Sequence, residues 1–347
     1  MNQPTVTVII PVRNGVSVLP DCLTALRQQS YPSDKLEVIV IDDESTDHTP
    51  SLVEAEIGAW AQHGSSPSLR LIRKTWGGAG AARNRGVQEA LGEVVLFTDA
   101  DCEPTLTWVE EMMKPLADPE VQAVAGGYLT KQKSSVARLA QTEFEDRYRY
   151  VVRHRFIDIA FTHSCAVRRT AFLATQGFDE RIPNNGDDLE LSYRLAKHGH
   201  RIVFAPKGLV YHQHPATWGE YIKKKIGRGY WRTLIFKRYP AKLVRDSYTP
   251  QTLKLQILLA GLAPLLTLLA IAGPSWAGVA AIIAWLVLFC STIPFVLRMN
   301  GSLLLRLLAP IFLIVQATSI GWGTFLGLFG NIEDYVIGGK KAEGAHA

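Results

Sequence analysis

The stretch at residues 92–102, GEVVLFTDADC, decides the fold of this chain. Residues 94–98 form a short apolar run of the length typical of a buried parallel strand, and Asp99 and Asp101 follow where it ends. Because residues i and i+2 of an extended chain point the same way, both carboxylates can face one spot beyond the strand end. Open α/β sheets bind ligands there, and two hard oxygen anions suit Mg²⁺ or Mn²⁺ carrying a diphosphate. Taken alone, such a pair is also common in solvated turns.

The composition indicates an intracellular chain with one strongly basic segment. The 347 residues suffice for two domains, or for one domain and a membrane part, and the formal net charge is only +5. Residues 220–246 alone hold nine basic and two acidic side chains, a local charge of +7. The four cysteines have neither paired nor metal-type spacing, so we expect reduced thiols. No signal-peptide pattern opens the sequence, and we expect its first part in the cytoplasm.

Strand and helix patterns alternate through the first hundred residues. Apolar β-branched runs predict strands at 6–10, 36–41, 69–72 and 94–98, and amphipathic spacing predicts helices at 19–29, 49–62 and 81–91. This alternation is typical of an α/β fold with a Rossmann-like, mostly parallel sheet and helices on both faces. The middle is mixed, with strands expected at 121–125, 202–204 and 209–211 and an amphipathic helix at 134–153.

Three long apolar segments follow, at residues 255–272, 276–297 and 303–329. Each is close to or longer than the roughly 20 residues that a membrane-spanning helix requires. The first two contain no charged residue, which buried helices of soluble proteins seldom achieve over that length. Arg298 and Arg306 flank the second connection and favour its cytoplasmic location.

We expect three spans, but the third segment leaves another topology open. Pro310, Gly321 and Gly323 fit a kinked or re-entrant helix. A third crossing would also place Lys340 and Lys341 outside, against the usual charge bias of membrane proteins.

The basic segment has an apolar or aromatic residue at every fourth position, namely Trp218, Ile222, Ile226, Tyr230 and Leu234. This pattern predicts one or two helices in the membrane interface, with cations at anionic headgroups. A basic aromatic stretch also fits nucleic-acid binding. Because it lies next to membrane spans, we expect lipid contacts and no nucleic-acid partner.

A polar cluster stands at the end of each of the first four predicted strands. These residues are Arg13 and Asn14, Asp42 and Asp43, Arg83 and Arg85, and Asp99 and Asp101. One cluster per strand end is typical of a nucleotide site, because carboxylates accept from base or ribose donors and arginines at helix starts hold phosphate. Each residue singly also fits a cap or a turn. The four clusters together favour the nucleotide site.

Glycines at 77, 78 and 80 superficially resemble a dinucleotide-binding loop. The position that requires the third glycine holds Arg83, and the loop follows the third strand rather than the first. We therefore exclude a dinucleotide cofactor.

Two acids, Asp187 and Asp188, begin a predicted helix farther along the chain. A helix N-terminus favours anions, so they fit an ordinary acidic helix start. They equally fit a general base aimed at an acceptor hydroxyl. His212, at the end of a short strand, is either a third metal ligand or a histidine with a purely structural hydrogen bond.

Six short motifs occur in the order found in family 2 glycosyltransferases of the GT-A fold, and residues 5–214 resemble that family. The motifs are PVRN at 11–14, IDDESTD at 41–47, ARNRG at 82–86, DAD at 99–101, GFDE at 177–180 and GDDLEL at 186–191. Each motif is weak alone, but six in order are specific. The C-terminal apolar segments resemble membrane-bound bacterial relatives that build exopolysaccharide repeat units on lipid carriers.

This resemblance implies an inverting transfer from a nucleotide sugar, usually a UDP-sugar, with Mg²⁺ or Mn²⁺ as cofactor. By position, the donor-binding residues would be Pro11, Arg13, Asn14, Asp42, Asp43, Arg83, Asp99 and Ala100. The metal would be held by Asp101, Asp99 and His212. Asp188 would be the general base with Asp187 supporting it, and the acceptor or membrane side would include His163, Arg228 and Trp231.

The chain departs from the family pattern at three places. Glu44 replaces a common Gly or Asn, and Asp187 replaces the usual Glu. The Gln-x-x-Arg-Trp motif of processive polysaccharide synthases is missing from the sequence, and only Arg228 and Trp231 echo it. Three alternatives stay open: a polyisoprenyl-phosphate glycosyltransferase, a processive polysaccharide synthase, and a non-catalytic scaffold that binds nucleotide sugars.

The sequence thus predicts a GT-A domain at residues 1–215, interfacial helices at 216–250, a transmembrane region at 251–332 and a polar tail at 333–347. We expect a multi-pass protein of the inner (cytoplasmic) membrane with its catalytic domain in the cytoplasm. Its expected partners are a nucleotide-sugar donor, a lipid-linked or membrane glycan acceptor, and membrane lipids. The sequence does not determine the sugar, the linkage or the oligomeric state.

Overall fold

A computed structural model describes residues 6–62, 66–182, 186–244 and 246–332. The polar tail expected at 333–347 and Arg245 of the basic segment lie outside the described residues. The chain divides into two compact units. The first comprises Met1–Lys131, His154–Gln213 and Ile332–Ala347, and the second comprises Gln132–Arg153 and His214–Asn331.

Eight strands of the described chain form one mixed sheet in the first unit. They are β1 (Val6–Val12), β2 (Leu36–Asp43), β3 (Ser68–Lys74), β4 (Val94–Phe97), β5 (Cys102–Pro104), β6 (Val121–Leu129), β7 (Cys165–Arg168) and β8 (Arg201–His212). Their order is β3-β2-β1-β4-β7-β6-β8-β5. The first four in this order are parallel, as are β6 and β8, whereas β7 is antiparallel to both neighbours and β5 is antiparallel to β8.

The helices of both units fall between and after these strands. They are α1 (Leu19–Arg27), α2 (Thr49–Gln62), α3 (Gly78–Glu89), α4 (Trp108–Met113), α5 (Ser135–Val151), α6 (Arg169–Ala174), α7 (Asp187–Lys197), α8 (Trp218–Arg238), α9 (Pro240–Val244), α10 (Gln251–Ala272), α11 (Ser275–Cys290), α12 (Ile293–Arg298) and α13 (Leu303–Phe329).

The predicted α/β architecture is confirmed, and the parallel half of the sheet follows the sequence pattern closely. The second half is more antiparallel than predicted, because β5 and β7 were not expected. Strands of three and four residues are too short to show an alternating pattern. The two strands expected at 202–204 and 209–211 are one continuous strand, β8, whose register against β6 shifts between Ala125 and Gly127.

Helices cover both faces of the sheet because successive side chains of a strand point to opposite sides. On one face, Val8 and Ile10 of β1 share a core with Leu23 of α1. On the other face, Ile9 of β1 lies against Gly86 of α3. The sheet is therefore buried on both sides, as its nearly continuous apolar runs indicate.

Helix α3 begins at Gly78, three residues before the predicted start. The reason is a carboxylate from a neighbouring strand. Asp43 at the end of β2 accepts hydrogen bonds from the backbone N–H groups of Gly77 and Gly78, at 2.9 and 2.7 Å. These groups are among those that a helix start leaves without intrahelical partners, so a distant acid satisfies them where the local sequence provides no cap.

The second unit is helical, and it includes α5, which the sequence placed within the first 215 residues. Its buried Glu143 accepts from Lys225 Nζ at 2.7 Å and from Tyr221 Oη at 2.9 Å, both on α8. Burial alone would raise the pKa of Glu143, but Lys225 and Arg147 outweigh this effect and lower it to about 2. This charged contact explains why α5 belongs with α8.

Three helical segments of the second unit are long and apolar enough to cross a membrane. They are Gln251–Ile271, Ser275–Arg298 and Leu303–Phe329. The apolar face of α8 also differs from the expectation of a lipid-facing surface. Leu234 and Trp231 are buried, and the Ile226 carbonyl lies against Gly323 of α13, whereas Trp218 of the same face is 36% exposed. Part of this face therefore packs within the protein, and the interfacial location of residues 216–250 stays a prediction.

We predict that Gly86→Ala lowers the apparent melting temperature of the purified protein by several degrees. A methyl group at Gly86 would lie 2.5 Å from Cγ2 of Ile9, and such overpacking costs about 1–3 kcal/mol. The matched control is Gly58→Ala on α2, where a methyl group has no neighbour within 4 Å. That variant should be as stable as the unmodified protein or more stable, since alanine favours helix over glycine. Equal melting temperatures for both variants would contradict the packing argument.

Candidate active site

A buried arginine joins three segments at the carboxyl edge of the sheet. Arg83 of α3 is only 4% exposed. Its Nη2 donates to Asp99 Oδ1 at 2.7 Å, and its Nη1 donates to Asp187 Oδ2 at 2.9 Å. The guanidinium carbon also lies 5.6 Å from the centre of the Phe178 ring. Arg83 thereby ties the end of β4 to the first turn of α7.

Burial and charge act in opposite directions on this ion-pair chain. Burial alone would lower the pKa of Arg83, but Asp99 and Asp187 outweigh it, so its pKa is raised and it stays charged. Burial raises the pKa of Asp187 above its ordinary value, and the attraction of Arg83 only partly opposes that rise. Asp187 therefore becomes protonated at a higher pH than an ordinary aspartate.

The two acids at the start of α7 differ in environment although they are adjacent. Asp187 is 2% exposed and points to Arg83. Asp188 is half-buried, and its Oδ1 accepts from the backbone N–H of Leu189 at 2.7 Å. Of the two predicted acids, Asp188 is the less buried one.

A possible metal-binding group lies where β5 begins and β8 ends. These strands pair antiparallel with Cys102 opposite His212. The ligand atoms of Asp101, Cys102 and His212 all lie within 4.8 Å of one another. Nδ1 of His212 is 3.6 Å from Asp101 Oδ2 and 3.7 Å from Cys102 Sγ.

These residues fit a divalent cation. Two donors bound to one ion through bonds of about 2.0–2.3 Å lie about as far apart as the ligand atoms of these three residues do. Carboxylate oxygens suit hard divalent ions such as Mg²⁺ and Mn²⁺, and an imidazole nitrogen is a common ligand of first-row transition ions. Asp101 and His212 were predicted as ligands, whereas Cys102 was not. The pairing of β5 with β8 places Cys102 opposite His212, and no local sequence pattern predicts that pairing.

An aromatic stack supports the histidine of this group. The ring of Tyr128 lies between His212, at 4.6 Å between centroids, and His163, at 3.4 Å. Phe161 continues the stack beyond His163 at 6.1 Å. His163, expected on the acceptor side, is thus buried beside the ring that contacts a predicted metal ligand. Tyr128 was not anticipated from the sequence.

The two acids that end β2 are buried and hold the surrounding loops. Asp42 accepts from the backbone N–H of Ser45 at 3.3 Å. Asp43 accepts from Lys74 Nζ at 2.6 Å in addition to its two contacts at the start of α3. Asp43 therefore has the capping role that the sequence left open beside nucleotide binding.

Arg13 and Asn14 follow β1 at the same edge. Asn14 adopts a left-handed backbone with φ 54°, and its side-chain oxygen accepts from the backbone N–H of Thr46 at 2.8 Å. Arg13 is exposed, and its guanidinium carbon lies 5.4 Å from the centre of the Trp76 ring. Pro11 and Ala100, the remaining residues predicted to bind the donor, are half-buried at strand ends.

Arg228 and Trp231, predicted on the acceptor or membrane side, belong to the second unit. The Arg228 guanidinium carbon lies 5.7 Å from the centre of the Phe144 ring of α5. Trp231 is 4% exposed and contacts Tyr230 edge to face. Both residues thus have partners within the helical unit.

Comparison with known proteins identifies the family. A family model described as glycosyl transferase family group 2 matches residues 94–322, about two thirds of the chain. A second, described as glycosyl transferase family 2, matches residues 7–174. The chain belongs to glycosyltransferase family 2.

Named relatives match about two thirds of this family 2 chain. It is 29% identical over 249 residues to the pre-mycofactocin glycosyltransferase of Mycobacterium tuberculosis, covering 68% of this chain and 48% of the relative. It is 29% identical over 232 residues to the glycosyltransferase AglE of Haloferax volcanii, covering 65% of this chain and 73% of the relative. The chain thus spans about half the length of the mycobacterial relative.

Among solved structures, this family 2 chain is similar to the mannosyltransferase PcManGT of Pyrobaculum calidifontis, determined in complex with GDP-Man and Mn²⁺. The TM-score is 0.60 with 25% sequence identity, and the match covers 95% of this chain and 88% of that one. The predicted GT-A fold is thereby confirmed.

The ARNRG motif of this family 2 chain works through contacts with the GFDE motif. Asn84 Nδ2 donates to the Phe178 carbonyl at 3.0 Å, and the Phe178 N–H donates to Asn84 Oδ1 at 2.8 Å. Arg83 binds the two acids, and Gly86 allows α3 to approach Ile9. One motif therefore fixes the helix, a loop and the ion-pair chain.

We predict that Arg83→Met destabilises the protein strongly, and more at pH 8 than at pH 5. Removing one partner of a buried ion pair costs about 3–5 kcal/mol. Without Arg83 the already raised pKa of Asp187 rises further in the folded state, while the unfolded chain keeps the ordinary value. Folding then becomes progressively less favourable as the pH rises from the ordinary carboxyl pKa through the raised folded pKa.

The measurement is the apparent melting temperature at both pH values. Arg85→Met is the matched control, because Arg85 is half exposed and pairs with Glu89 on its own helix. A pH-independent loss in Arg83→Met would contradict the assignment of Asp187 as the charge that Arg83 compensates.

Proposed function

We propose that this protein transfers a sugar, with inversion, from a nucleotide sugar to a hydroxyl of a membrane-associated, lipid-linked glycan acceptor. The observation that supports the proposal is the pair of hydrogen bonds by which Arg83 joins Asp99 to Asp187, because Asp101 and Asp188 lie two residues and one residue away from those acids in sequence. An acid able to accept a proton and a possible cation site thus share one edge of the sheet. Family membership supports glycosyl transfer as the reaction.

The donor is proposed to be a UDP-sugar, as the motif resemblance implies. The GDP-mannose complex of the similar mannosyltransferase makes a GDP-sugar the first competitor to test. Buried Asp42 and Asp43, exposed Arg13, and Asn14 would surround the nucleobase side, while Arg83 and Asp99 would lie toward the ribose and diphosphate. Both nucleotides should be compared directly in binding measurements.

The metal is proposed to be Mg²⁺ or Mn²⁺, held by Asp101 and His212 with Asp99 nearby. A divalent cation held by these residues would supply positive charge to offset that of the nucleotide diphosphate as it leaves. Tyr128 would restrict rotation of the His212 ring, because the tyrosine ring stacks on His212 and also on His163.

Asp188 is proposed to remove the proton from the acceptor hydroxyl as its oxygen attacks the anomeric carbon opposite the leaving group. Asp187 supports this role indirectly, since its contact with Arg83 fixes the first turn of α7. The apolar helices would tether the catalytic domain, proposed at residues 1–215, to the inner membrane on its cytoplasmic side. Tethering raises the effective concentration of a lipid-linked acceptor.

The rival activities give different results. A polyisoprenyl-phosphate acceptor is already anionic and requires no base, so that enzyme would tolerate Asp188→Asn. A processive synthase would give long products on a gel, and its missing Gln-x-x-Arg-Trp motif argues against it. A scaffold would bind nucleotide sugar without turnover against any lipid acceptor.

We predict that Asp188→Asn lowers the transfer rate about 100-fold or more in purified membranes, because general-base contributions are of that size. Donor binding should remain within a factor of about two, since Asp188 is not placed on the donor. The measurement is sugar transfer to lipid extract, with nucleotide binding measured by calorimetry. Asp34→Asn, at an exposed position, is the control and should keep full activity. Full transfer in Asp188→Asn would sink the base assignment.

We predict that EDTA abolishes transfer and that added Mn²⁺ or Mg²⁺ restores it. Direct Mn²⁺ binding can be followed by electron paramagnetic resonance, where Asp101→Asn and His212→Ala should weaken affinity on the order of tenfold or more. His198→Ala is the matched control, because His198 is exposed and its Nδ1 lies 2.8 Å from the carbonyl oxygen of Arg194 on the preceding turn of α7. Undiminished transfer in EDTA would exclude a metal role.

A further inference from the structure

Cys102 gives the candidate metal group a third side chain, which the metal role proposed above does not use. Because Cys102 and His212 are directly opposite each other in the antiparallel pair of β5 and β8, their side chains lie on the same face of the sheet. Cys102 Sγ is 3.7 Å from His212 Nδ1 and 3.8 Å from Asp101 Oδ1. His212 Nδ1 is 3.6 Å from Asp101 Oδ2. The three side chains thus form a triangle with nearly equal sides.

The size of this triangle suits an ion with tetrahedral coordination. Zinc bonds are about 2.3 Å to sulfur, about 2.0–2.1 Å to imidazole nitrogen and about 2.0–2.2 Å to carboxylate oxygen, and at the tetrahedral angle they separate the donors by about 3.4–3.6 Å. Octahedral Mg²⁺, with bonds of about 2.0–2.1 Å at right angles, requires neighbouring donors about 2.9 Å apart. The observed separations of 3.6–3.8 Å are closer to the tetrahedral values.

The charges that these three side chains can carry balance a divalent ion. A thiolate and a carboxylate supply two negative charges, and imidazole binds metals in its neutral form. Asp99, two residues before Asp101, is paired with Arg83 at 2.7 Å, so that its charge is already offset. A cysteine binds an ion as thiolate, so binding displaces the thiol proton to solvent. A hard ion such as Mg²⁺ gains little from a sulfur ligand, whereas Zn²⁺ binds thiolate, imidazole and carboxylate alike.

The burial of the three side chains leaves one side of the group open. Cys102 is fully buried and the His212 side chain is only 8% exposed, whereas the Asp101 side chain is 39% exposed. An ion held by all three would therefore face solvent on the side of Asp101. Catalytic zinc sites have the same arrangement, with three protein ligands and a fourth position for water or substrate. A diphosphate oxygen of the proposed donor suits that fourth position by its charge.

We propose that Cys102 is a protein ligand of this group beside Asp101 and His212, and that its sulfur makes the group bind Zn²⁺ in preference to Mg²⁺. Zn²⁺ is then a competitor of Mg²⁺ at the residues that hold the activating ion. The proposal rests on the metal group of the proposed function, but not on the identity of the sugar or the acceptor. Ion binding is therefore tested separately from sugar transfer.

The test is cobalt absorption spectroscopy of the purified 347-residue chain in detergent, after removal of bound metals and with the thiols kept reduced. Co²⁺ is the probe because it accepts the same ligand types as Zn²⁺ and, unlike Zn²⁺, absorbs light. A thiolate bound to Co²⁺ gives a near-ultraviolet charge-transfer band, which carboxylate and imidazole ligands do not give. We expect this band at one Co²⁺ per chain.

Cys102→Ser and Cys102→Ala should both abolish the band and weaken Co²⁺ binding about tenfold or more, since loss of a group that only orients a ligand already costs about 10–100-fold in affinity. Cys165→Ser is the matched control, because Cys165 is also a buried thiol of the sheet but lies outside the group. Cys290→Ala removes the exposed thiol and should likewise leave the band unchanged. Melting temperatures show whether each variant is folded.

An equimolar addition of Zn²⁺ should remove the band, whereas a large excess of Mg²⁺ should leave it. Absence of the band from the unmodified protein, or its persistence in both Cys102 variants, would overturn the ligand assignment. The Cys102 thiol would then be only a hydrogen-bonding neighbour of Asp101 and His212. Displacement of Co²⁺ by Mg²⁺ as readily as by Zn²⁺ would overturn the ion preference.

Sugar transfer measured on the same preparation separates this inference from the proposed function. Transfer with Mg²⁺ or Mn²⁺ by a protein that lacks the band would keep the proposed function and overturn only the role of Cys102. The band in a protein that transfers no sugar to any lipid acceptor would support the ligand assignment and count against the proposed function.

Discussion

The guanidinium of Arg83, held between the carboxylates of Asp99 and Asp187, is the interaction on which the site depends. Neither a buried arginine nor a pair of partly buried acids is stable alone, because desolvation of each charge must be offset by its partners. The planar guanidinium can serve two carboxylates in fixed directions, which a lysine cannot do. The geometry of α7, and with it the position of Asp188, therefore follows from a residue on α3.

The mixed half of the sheet contributes His212, a candidate metal ligand that the parallel half does not contain. Parallel strands β1 to β4 bring their polar ends to one edge, as open α/β sheets do. The antiparallel pairing of β5 with β8 then brings His212 back toward Asp101, at a separation that suits a cation. Stacking of Tyr128 on His212 restricts that ring further. Both halves of the sheet thus contribute residues to the candidate site.

The helical unit is held together by buried ion pairs and by close helix contacts at glycines, rather than by a sheet. Glu143 with Lys225 joins α5 to α8, while Gly323 and Gly327 let α13 approach α8 closely.

The sequence by itself determined the α/β class, the parallel strands, the order of the motifs and the acids at the strand ends, because strand periodicity and local motifs are properties of neighbouring residues. Only the tertiary structure decided that Asp43 caps α3, that Arg83 joins Asp99 to Asp187, and that Cys102 and Tyr128 lie beside His212. These contacts join positions far apart in the chain. They depend on strand order and helix packing, which a local pattern does not encode.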